Sequence, residues 1–158
     1  MNAEAVLTAL QSKGQTLAVA ESLTGGLLAA TIVDVPGASR VFRGGLVVYA
    51  TDLKATLAGV PLELLTARGA VDPDVAAALA GGARKRCGAD WGLSTTGVAG
   101  PDPQDGEPVG TVYLGVAGPD GFGLVRHLEL GGDRAAVRRG AVAAALDLLG
   151  RALVGNAS

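Results

Sequence analysis

The sequence predicts an α/β sandwich built around a mixed β-sheet. Short apolar runs rich in β-forming residues alternate with stretches at helical spacing, and one β-hairpin occurs late in the chain. The chain has 158 residues, of which 49% are hydrophobic, and this is enough for one domain with its own core. We therefore interpret residues 1–158 as a single domain.

Caps and helix breakers indicate where the helices begin and end. Asn2 is a typical N-cap and Gly14 ends the first helix, while residues 25–35 look helical up to the breaker Pro36-Gly37. The remaining predicted helices begin at Thr51 or Asp52, at Pro61, at Asp72-Pro73 and at Asp133, and the first two of these end at Gly59 and Gly69.

Five segments have the apolar, β-branched composition of strands. They are residues 16–20, 45–50, 91–97, 110–118 and 122–130. The last two are joined by Pro119-Asp120-Gly121, which is typical of a hairpin turn. An antiparallel hairpin beside strands that alternate with helices gives the mixed sheet.

Composition excludes several function classes. A single cysteine and a single histidine exclude an internal disulfide and the usual structural zinc site. The net charge of −2 and the absence of a concentrated basic surface argue against nucleic acid as a partner, and we interpret Arg84-Lys85-Arg86 as a solvated last helical turn. No apolar run is long enough for a membrane span and no signal-peptide pattern opens the chain, so we expect a cytoplasmic protein without a membrane partner.

The stretch AVAESLTGGLLAA, residues 18–30, places two hydroxyl groups and two glycines between a strand and a helix. Ser22 follows the carboxyl end of the strand, the edge where ligands bind in open α/β sheets. Gly25 and Gly26 allow a ligand to approach the backbone, and the free N–H groups of the first helical turn could hold an anion or an oxyanion. Helix capping and a tight turn explain the same residues equally well.

A nucleophilic serine needs a base, and lysine is the stronger candidate for it here. His127, the only histidine, alternates with Leu128 in a way that predicts a solvated strand face. Lys54 follows the second strand closely, so the ends of two strands could bring Ser22, Tyr49 and Lys54 together. The alternative is that Lys54 is an exposed helix residue and Tyr49 a core aromatic.

A third feature is the segment at residues 94–113, in which Thr95-Thr96-Gly97 end a strand and a loop of Gly, Pro and Asp follows. Backbone N–H groups of glycine-rich loops can bind phosphate. The loop matches neither a Walker motif nor GxGxxG, and a plain surface connection remains the alternative.

Taken together, these stretches resemble the C-terminal domain of the competence/damage-inducible CinA family. The resemblance rests on AESLTGG, DVPGAS, VVYA, LAGVPLELL, GAVDPDVA, TTGVAGP, PVGTVYLGVAG and GDRAAVR, in the family's order over roughly residues 4–150. It implies a three-layer α/β/α sandwich with a mixed, mostly parallel sheet. It also implies hydrolysis of the carboxamide of nicotinamide mononucleotide (NMN) to nicotinate mononucleotide and ammonia, in pyridine nucleotide salvage, with neither cofactor nor metal.

The resemblance also implies roles for particular residues. Ser22 matches the family's nucleophile, Lys54 the base, and Tyr49 a group that orients Lys54 or relays the proton. The expected substrate-binding residues are Thr24, Gly25, Gly26, Gly45, Thr95, Thr96, Gly97, Gly100 and Arg134. Among these, N–H groups from Thr24 to Gly26 would hold the oxyanion, and the Thr95–Gly100 loop or Arg134 would meet the phosphate. We also expect a homo-oligomer.

The chain departs from the family pattern in three places. It has Tyr49-Ala50-Thr51 where the family often has Tyr-Ser-Asn, and its glycine-rich loop is shortened and acidic, PDPQDGEP. The larger N-terminal domain of many members has no counterpart, so the chain resembles the stand-alone form. Two other functions stay open at this point: a non-catalytic nucleotide-binding module linked to competence or DNA damage, and an amidase with a different small substrate.

Overall fold

The computed structural model describes residues 1–155, which form six α-helices and five β-strands. The helices are α1 (Ala3–Lys13), α2 (Leu27–Val33), α3 (Thr51–Thr56), α4 (Leu62–Arg68), α5 (Pro73–Cys87) and α6 (Arg134–Leu153). The strands are β1 (Leu17–Glu21), β2 (Phe42–Val47), β3 (Trp91–Gly97), β4 (Thr111–Ala117) and β5 (Gly123–Glu129). Within residues 1–155, no helix is both long and apolar enough to cross a bilayer.

The five strands form one sheet in the order β2-β1-β3-β4-β5. Strand β1 pairs in parallel with β2 and with β3, whereas β4 is antiparallel to both of its neighbours. Four strands therefore point the same way and only β4 opposes them. This confirms the mixed, mostly parallel sheet, and the hairpin β4–β5 is the one predicted from its turn residues.

Helices cover both faces of the sheet and produce the predicted three layers. Helices α1, α2 and α6 pack together on one face, and α5 lies on the other, against β1, β3 and β4. The residues of β1 alternate between the two cores: Leu17 and Val19 pack with the α1/α2/α6 layer, while Ala18 and Ala20 pack with the α5 layer. A strand buried on both faces reads as a continuous apolar run, which is why TLAVA predicted it.

The side-chain caps predicted at Asn2 and Asp72 are confirmed, and Asp133, where the last helix was predicted to begin, is a cap as well. Asn2 accepts from the N–H of Ala5, Asp72 accepts from the N–H groups of Asp74 and Val75, and Asp133 accepts from that of Ala136. Each of these side chains satisfies backbone donors that a helix start leaves free.

One predicted strand boundary and one predicted helix cap near the second strand are wrong. The strand is Phe42–Val47 rather than residues 45–50, because pairing with β1 begins at Phe42 and includes the glycines. A Cβ at Gly45 would lie 2.6 Å from Cγ2 of Val19, so close packing against β1 requires a glycine there. Helix α3 has Ala50 at its N-cap and no side-chain cap, so the predicted cap at Thr51 or Asp52 is also wrong.

Candidate active site

Ser22 lies directly after β1, in a turn held to the neighbouring strand. Its N–H donates to the carbonyl of Thr95 at the end of β3, at 3.0 Å, and its own carbonyl accepts from the N–H of Gly25 at 3.1 Å. Gly25 and Gly26 have φ of 57° and 102°, a region that favours glycine, and α2 starts after them at Leu27. The Ser22 side chain thus lies at the carboxyl edge of the parallel strands, as predicted.

Lys54 lies in α3 and points inward, toward Ser22. Its Nζ is 2.8 Å from Oγ of Ser22, 2.8 Å from the carbonyl oxygen of Val48 and 3.3 Å from that of Tyr49. The residue is 1% exposed, so the alternative of a surface lysine is wrong. Among the buried residues with almost no exposure, it has the largest side chain.

Burial lowers the pKa of Lys54 from its usual 10.5 to about 8, and the negative charge of Asp105 partly opposes this shift. At neutral pH about a tenth of the molecules then carry an uncharged amine. A neutral amine has two N–H groups and one lone pair. Since the two backbone carbonyls can take both N–H groups, the lone pair is left to accept the proton of the Ser22 hydroxyl.

The lowered pKa of Lys54 predicts a pH-dependent stability. The unfolded chain binds the lysine proton more tightly than the folded one, so the lysine's contribution to stability is complete above pH 10.5 and is lost as the pH falls through about 8. Relative to Lys54→Met, the free energy of unfolding of the native protein should rise by about 2 kcal/mol between pH 7.5 and 10. Urea unfolding of both proteins at the two pH values measures this, and parallel behaviour would mean that Lys54 titrates normally.

A cavity of about 320 Å³ opens beside Ser22. Its walls are the Ser22–Leu23 turn, Tyr49, the segment 97–104 and Arg134. Of the expected substrate-binding residues, Gly97, Gly100 and Arg134 line this cavity. The proposed nucleophile therefore faces a concave space of the size that small-molecule sites have.

Tyr49 is placed differently from either expectation. Its side chain is 55% exposed, so it is not a core aromatic, and its hydroxyl accepts from Nη2 of Arg134 at 3.1 Å. The same arginine donates through Nη1 to the carbonyl of Gly100. Within residues 1–155 the Tyr49 hydroxyl has no hydrogen bond to Ser22 or Lys54, and the contact with Lys54 is made by the Tyr49 backbone carbonyl. A proton relay through the hydroxyl is therefore not what this geometry provides.

The other expected binding residues lie around the cavity rather than in its wall. Thr24 and Thr95 share a hydrogen bond of 2.8 Å between their buried hydroxyls, which ties the Ser22 turn to β3. Thr96 donates to the carbonyl of Ala70 at 2.7 Å. Gly45 lies in β2 against Val19, and Gly25 and Gly26 shape the turn before α2.

The expected anion site at the start of α2 is partly occupied by the protein itself. The buried carboxylate of Glu21 already accepts from the N–H groups of Leu28 and Ala29, at 2.8 and 3.1 Å. The N–H of Leu27 donates to the carbonyl of Thr24, and that of Gly25 to Ser22. In the described part of the chain, the N–H of Leu23 has no protein acceptor, and Leu23 lines the cavity next to Ser22. Leu23 therefore replaces Gly25 as a candidate oxyanion donor, and within residues 1–155 the expected donors Thr24 and Gly26 have no protein acceptor either.

Three residues of the site were not predicted from the sequence: Glu21, Asp105 and Arg138. Glu21 accepts from the N–H of Leu28 in the first turn of α2, and Asp105 accepts from the N–H of Ala70 at 3.2 Å. Arg138 donates to the carbonyls of Leu23 and Thr24. Glu21 and Arg138 lie in AESLTGG and GDRAAVR, two of the motifs that carry the family resemblance, which was the available signal.

His127 is exposed, as predicted, and its ring stacks on Tyr113 with centroids 4.8 Å apart. It lies on β5, which is separated from β1 by two strands, so it is not part of the Ser22 site. In residues 1–155, no group of three or more His, Cys, Asp and Glu side chains is placed to hold a metal ion.

Comparison with known proteins places the domain in a family. The sequence profile of the CinA C-terminal domain matches residues 1–153. The chain belongs to the CinA C-terminal domain family. Among curated relatives, a CinA-like protein of Frankia casuarinae is 57% identical over 150 residues, which are 95% of this chain and 34% of that protein. A putative competence-damage inducible protein of Geobacillus is 50% identical over 129 residues, 82% of this chain and 31% of its own length.

Solved CinA structures have the same fold. A competence/damage-inducible protein of Agrobacterium tumefaciens, CihA, superposes with a TM-score of 0.91 at 35% identity, covering 96% of this chain and 93% of that one. A CinA superfamily protein of Klebsiella pneumoniae superposes with a TM-score of 0.93 at 30% identity, covering 97% and 96%. The chain spans about a third of the length of the curated relatives it matches.

Proposed function

We propose that this CinA domain hydrolyses the carboxamide of NMN to nicotinate mononucleotide and ammonia. The observation that carries the proposal is the contact between the buried Lys54 amine and Ser22, at 2.8 Å beside a cavity, with the pKa of Lys54 lowered to about 8. A lysine whose pKa is lowered toward neutral and whose amine is bonded to a serine hydroxyl is the arrangement that activates a serine for acyl transfer.

The reaction begins when neutral Lys54 takes the proton of the Ser22 hydroxyl and Oγ attacks the amide carbon. The N–H of Leu23 stabilises the oxyanion of the tetrahedral intermediate. Lys54 then gives the proton to the leaving nitrogen, ammonia departs, and the nicotinoyl group stays on Ser22 as an ester. Water, deprotonated by the same amine, attacks the ester, and the serine hydroxyl is restored with release of the carboxylate.

Charges around the cavity suit a zwitterionic nucleotide. Arg134 lies in the wall, and its guanidinium keeps donors beyond the two it gives to Gly100 and Tyr49, so it can meet a phosphate. Asp102, in the segment 97–104, brings a carboxylate to the same cavity and favours a pyridinium ring. A cationic ring close to Lys54 would also lower the pKa of its amine further.

The direct test is to incubate the domain with NMN and measure ammonia and nicotinate mononucleotide. We expect equal amounts of the two. Nicotinamide riboside, which lacks the phosphate, should react with a raised KM if Arg134 binds the phosphate. Tight binding of NMN without turnover would favour a non-catalytic nucleotide-binding module, and turnover of other amides alone would favour a different small substrate.

We predict that hydrolysis needs no metal. The proposed steps use a hydroxyl, an amine and a backbone N–H, and one histidine with one cysteine leave mainly carboxylates as ligands. Activity should therefore be unchanged after dialysis against EDTA, measured by the same ammonia assay. Full inhibition that a divalent ion reverses would contradict this prediction.

A further inference from the structure

We propose that Arg138 is a positioning residue that fixes the turn carrying Ser22. Its Nε donates to the carbonyl of Leu23 at 3.0 Å and its Nη2 to the carbonyl of Thr24 at 2.9 Å. These are the two residues that follow the proposed nucleophile. The contacts join α6 to the β1–α2 turn across more than a hundred residues of sequence.

The two bonds determine where the N–H groups of the turn point. In a trans peptide the carbonyl and the following N–H point in opposite directions. Since the carbonyl of Ser22 is held by the N–H of Gly25, and those of Leu23 and Thr24 by Arg138, all three peptide units after Ser22 are fixed in orientation. Because the carbonyl of Thr24 also accepts from the N–H of Leu27, removing Arg138 would free one of the three, the unit that joins Leu23 to Thr24.

Helix α6 is well placed to support the two hydrogen bonds from Arg138, which together act as a clamp on the turn. Its buried face includes Val137 and Ala141, which pack into the core on either side of Arg138 in sequence. One turn earlier, Arg134 donates to the carbonyl of Gly100 and to the Tyr49 hydroxyl, two residues of the cavity wall. Two arginines four residues apart therefore hold the cavity walls, but only Arg134 lines the cavity itself.

An arginine is needed at position 138 because the two carbonyls are held by two N–H donors of one planar guanidinium group. Lysine at this position would offer a point charge and could not hold both carbonyls in the same geometry. The kinetic consequence rests on the proposed function. A nucleophile that is misplaced by a fraction of an ångström lowers the rate of acyl transfer, so we expect kcat to fall by about ten- to a hundredfold in Arg138→Met. Because Arg138 is not in the cavity wall, KM should change by less than about threefold.

The experiment compares Arg138→Met and Arg138→Lys with Arg139→Met, a matched control on the adjacent, exposed position of the same helix. Two quantities are measured in the full chain: kcat and KM for NMN, and amide hydrogen exchange in the peptide spanning residues 20–28. We expect faster exchange and a lower kcat in Arg138→Met, an intermediate result in Arg138→Lys, and native values in the control.

Native exchange at residues 20–28 in both Arg138 variants would overturn the proposal. A raised KM with native exchange would overturn it too, because Arg138 would then be a substrate-binding residue. If the unmodified protein does not hydrolyse NMN, the proposed function fails, and exchange alone still decides whether Arg138 holds the turn. The apparent pKa of the rate profile should be unchanged in Arg138→Lys, which separates lost positioning from a changed base.

Discussion

Replacing Ser22 with alanine is expected to lower the rate of amide hydrolysis by at least about a thousandfold. The rate that remains would come from substrate binding and oxyanion stabilisation alone. The substitution removes the oxygen that would attack the amide carbon and leaves the backbone bonds of the turn, from Ser22 N–H to Thr95 and from Gly25 N–H to Ser22, in place. NMN binding, measured by calorimetry, should change little, because only one atom of the cavity wall is lost.

Ser12→Ala is a suitable control for this substitution. Ser12 is exposed on α1, and its hydroxyl donates only to the carbonyl of Ala9. Its variant should keep native turnover. Near-native turnover in Ser22→Ala would remove Ser22 from the mechanism, and Thr24 would be the next hydroxyl to test, although its side chain is fully buried and bonded to Thr95.

Local patterns in the sequence were sufficient to predict the architecture of the domain. The apolar run at residues 16–20 predicted β1 because a strand covered on both faces has no polar alternation. Side-chain caps at Asn2 and Asp72 predicted helix starts because the capping bond is local. The boundary of β2 was placed too late because the β-forming residues Val47-Val48-Tyr49 are stronger signals than Arg43-Gly44, which belong to β2.

The proximity of Ser22 and Lys54 was foreseeable from topology, since both follow strands that end at the same sheet edge. The burial of Lys54 was not. Helix α3 has only six residues, and spacing in so short a segment does not say which side chain turns inward. The lowered pKa follows from that burial and so could be known only from the structure.

The predictions that failed depended on contacts between distant segments or on which atom of a residue is used. Nothing local in AESLTGG says that Glu21 reaches across the turn to occupy the first N–H groups of α2. Tyr49 was singled out for its hydroxyl, whereas the structure bonds that hydroxyl to Arg134 and uses the backbone carbonyl for Lys54. The type of a residue does not show whether its backbone atoms take part in a site, so a prediction from sequence assigns the role to the side chain.

Lys54→Arg is expected to be nearly as damaging as Lys54→Ala, with a loss of at least about a hundredfold in kcat/KM. Arginine keeps the positive charge but stays protonated at any working pH, so it cannot accept the Ser22 proton. It also brings a larger planar group into a site where Nζ is held between Ser22 and the carbonyl of Val48. Lys85→Arg, on the exposed end of α5, is the matched control and should keep native kinetics.

The unmodified protein should hydrolyse NMN at a rate that rises with pH. The profile of kcat/KM reports the free enzyme, so its apparent pKa should be about 8, the value for Lys54, well below the usual 10.5. The profile of kcat reports the enzyme with substrate bound. Because the pyridinium ring of NMN is a cation, we expect the apparent pKa in kcat to lie below that in kcat/KM.

The kinetics of the Lys54 variants and the pH profiles together distinguish a general base from a residue that only supplies a positive charge. A lysine that only pairs with the substrate phosphate would tolerate arginine in part, and its removal would act mainly on KM. A general base would lose kcat in both Lys54→Arg and Lys54→Ala, and the rise through about pH 8 would disappear with it. If Lys54→Arg kept a substantial share of turnover with an unchanged pH profile, Lys54 would not be the base. His127 could not easily take its place, because it lies on β5 and two strands separate β5 from β1, the strand that Ser22 follows.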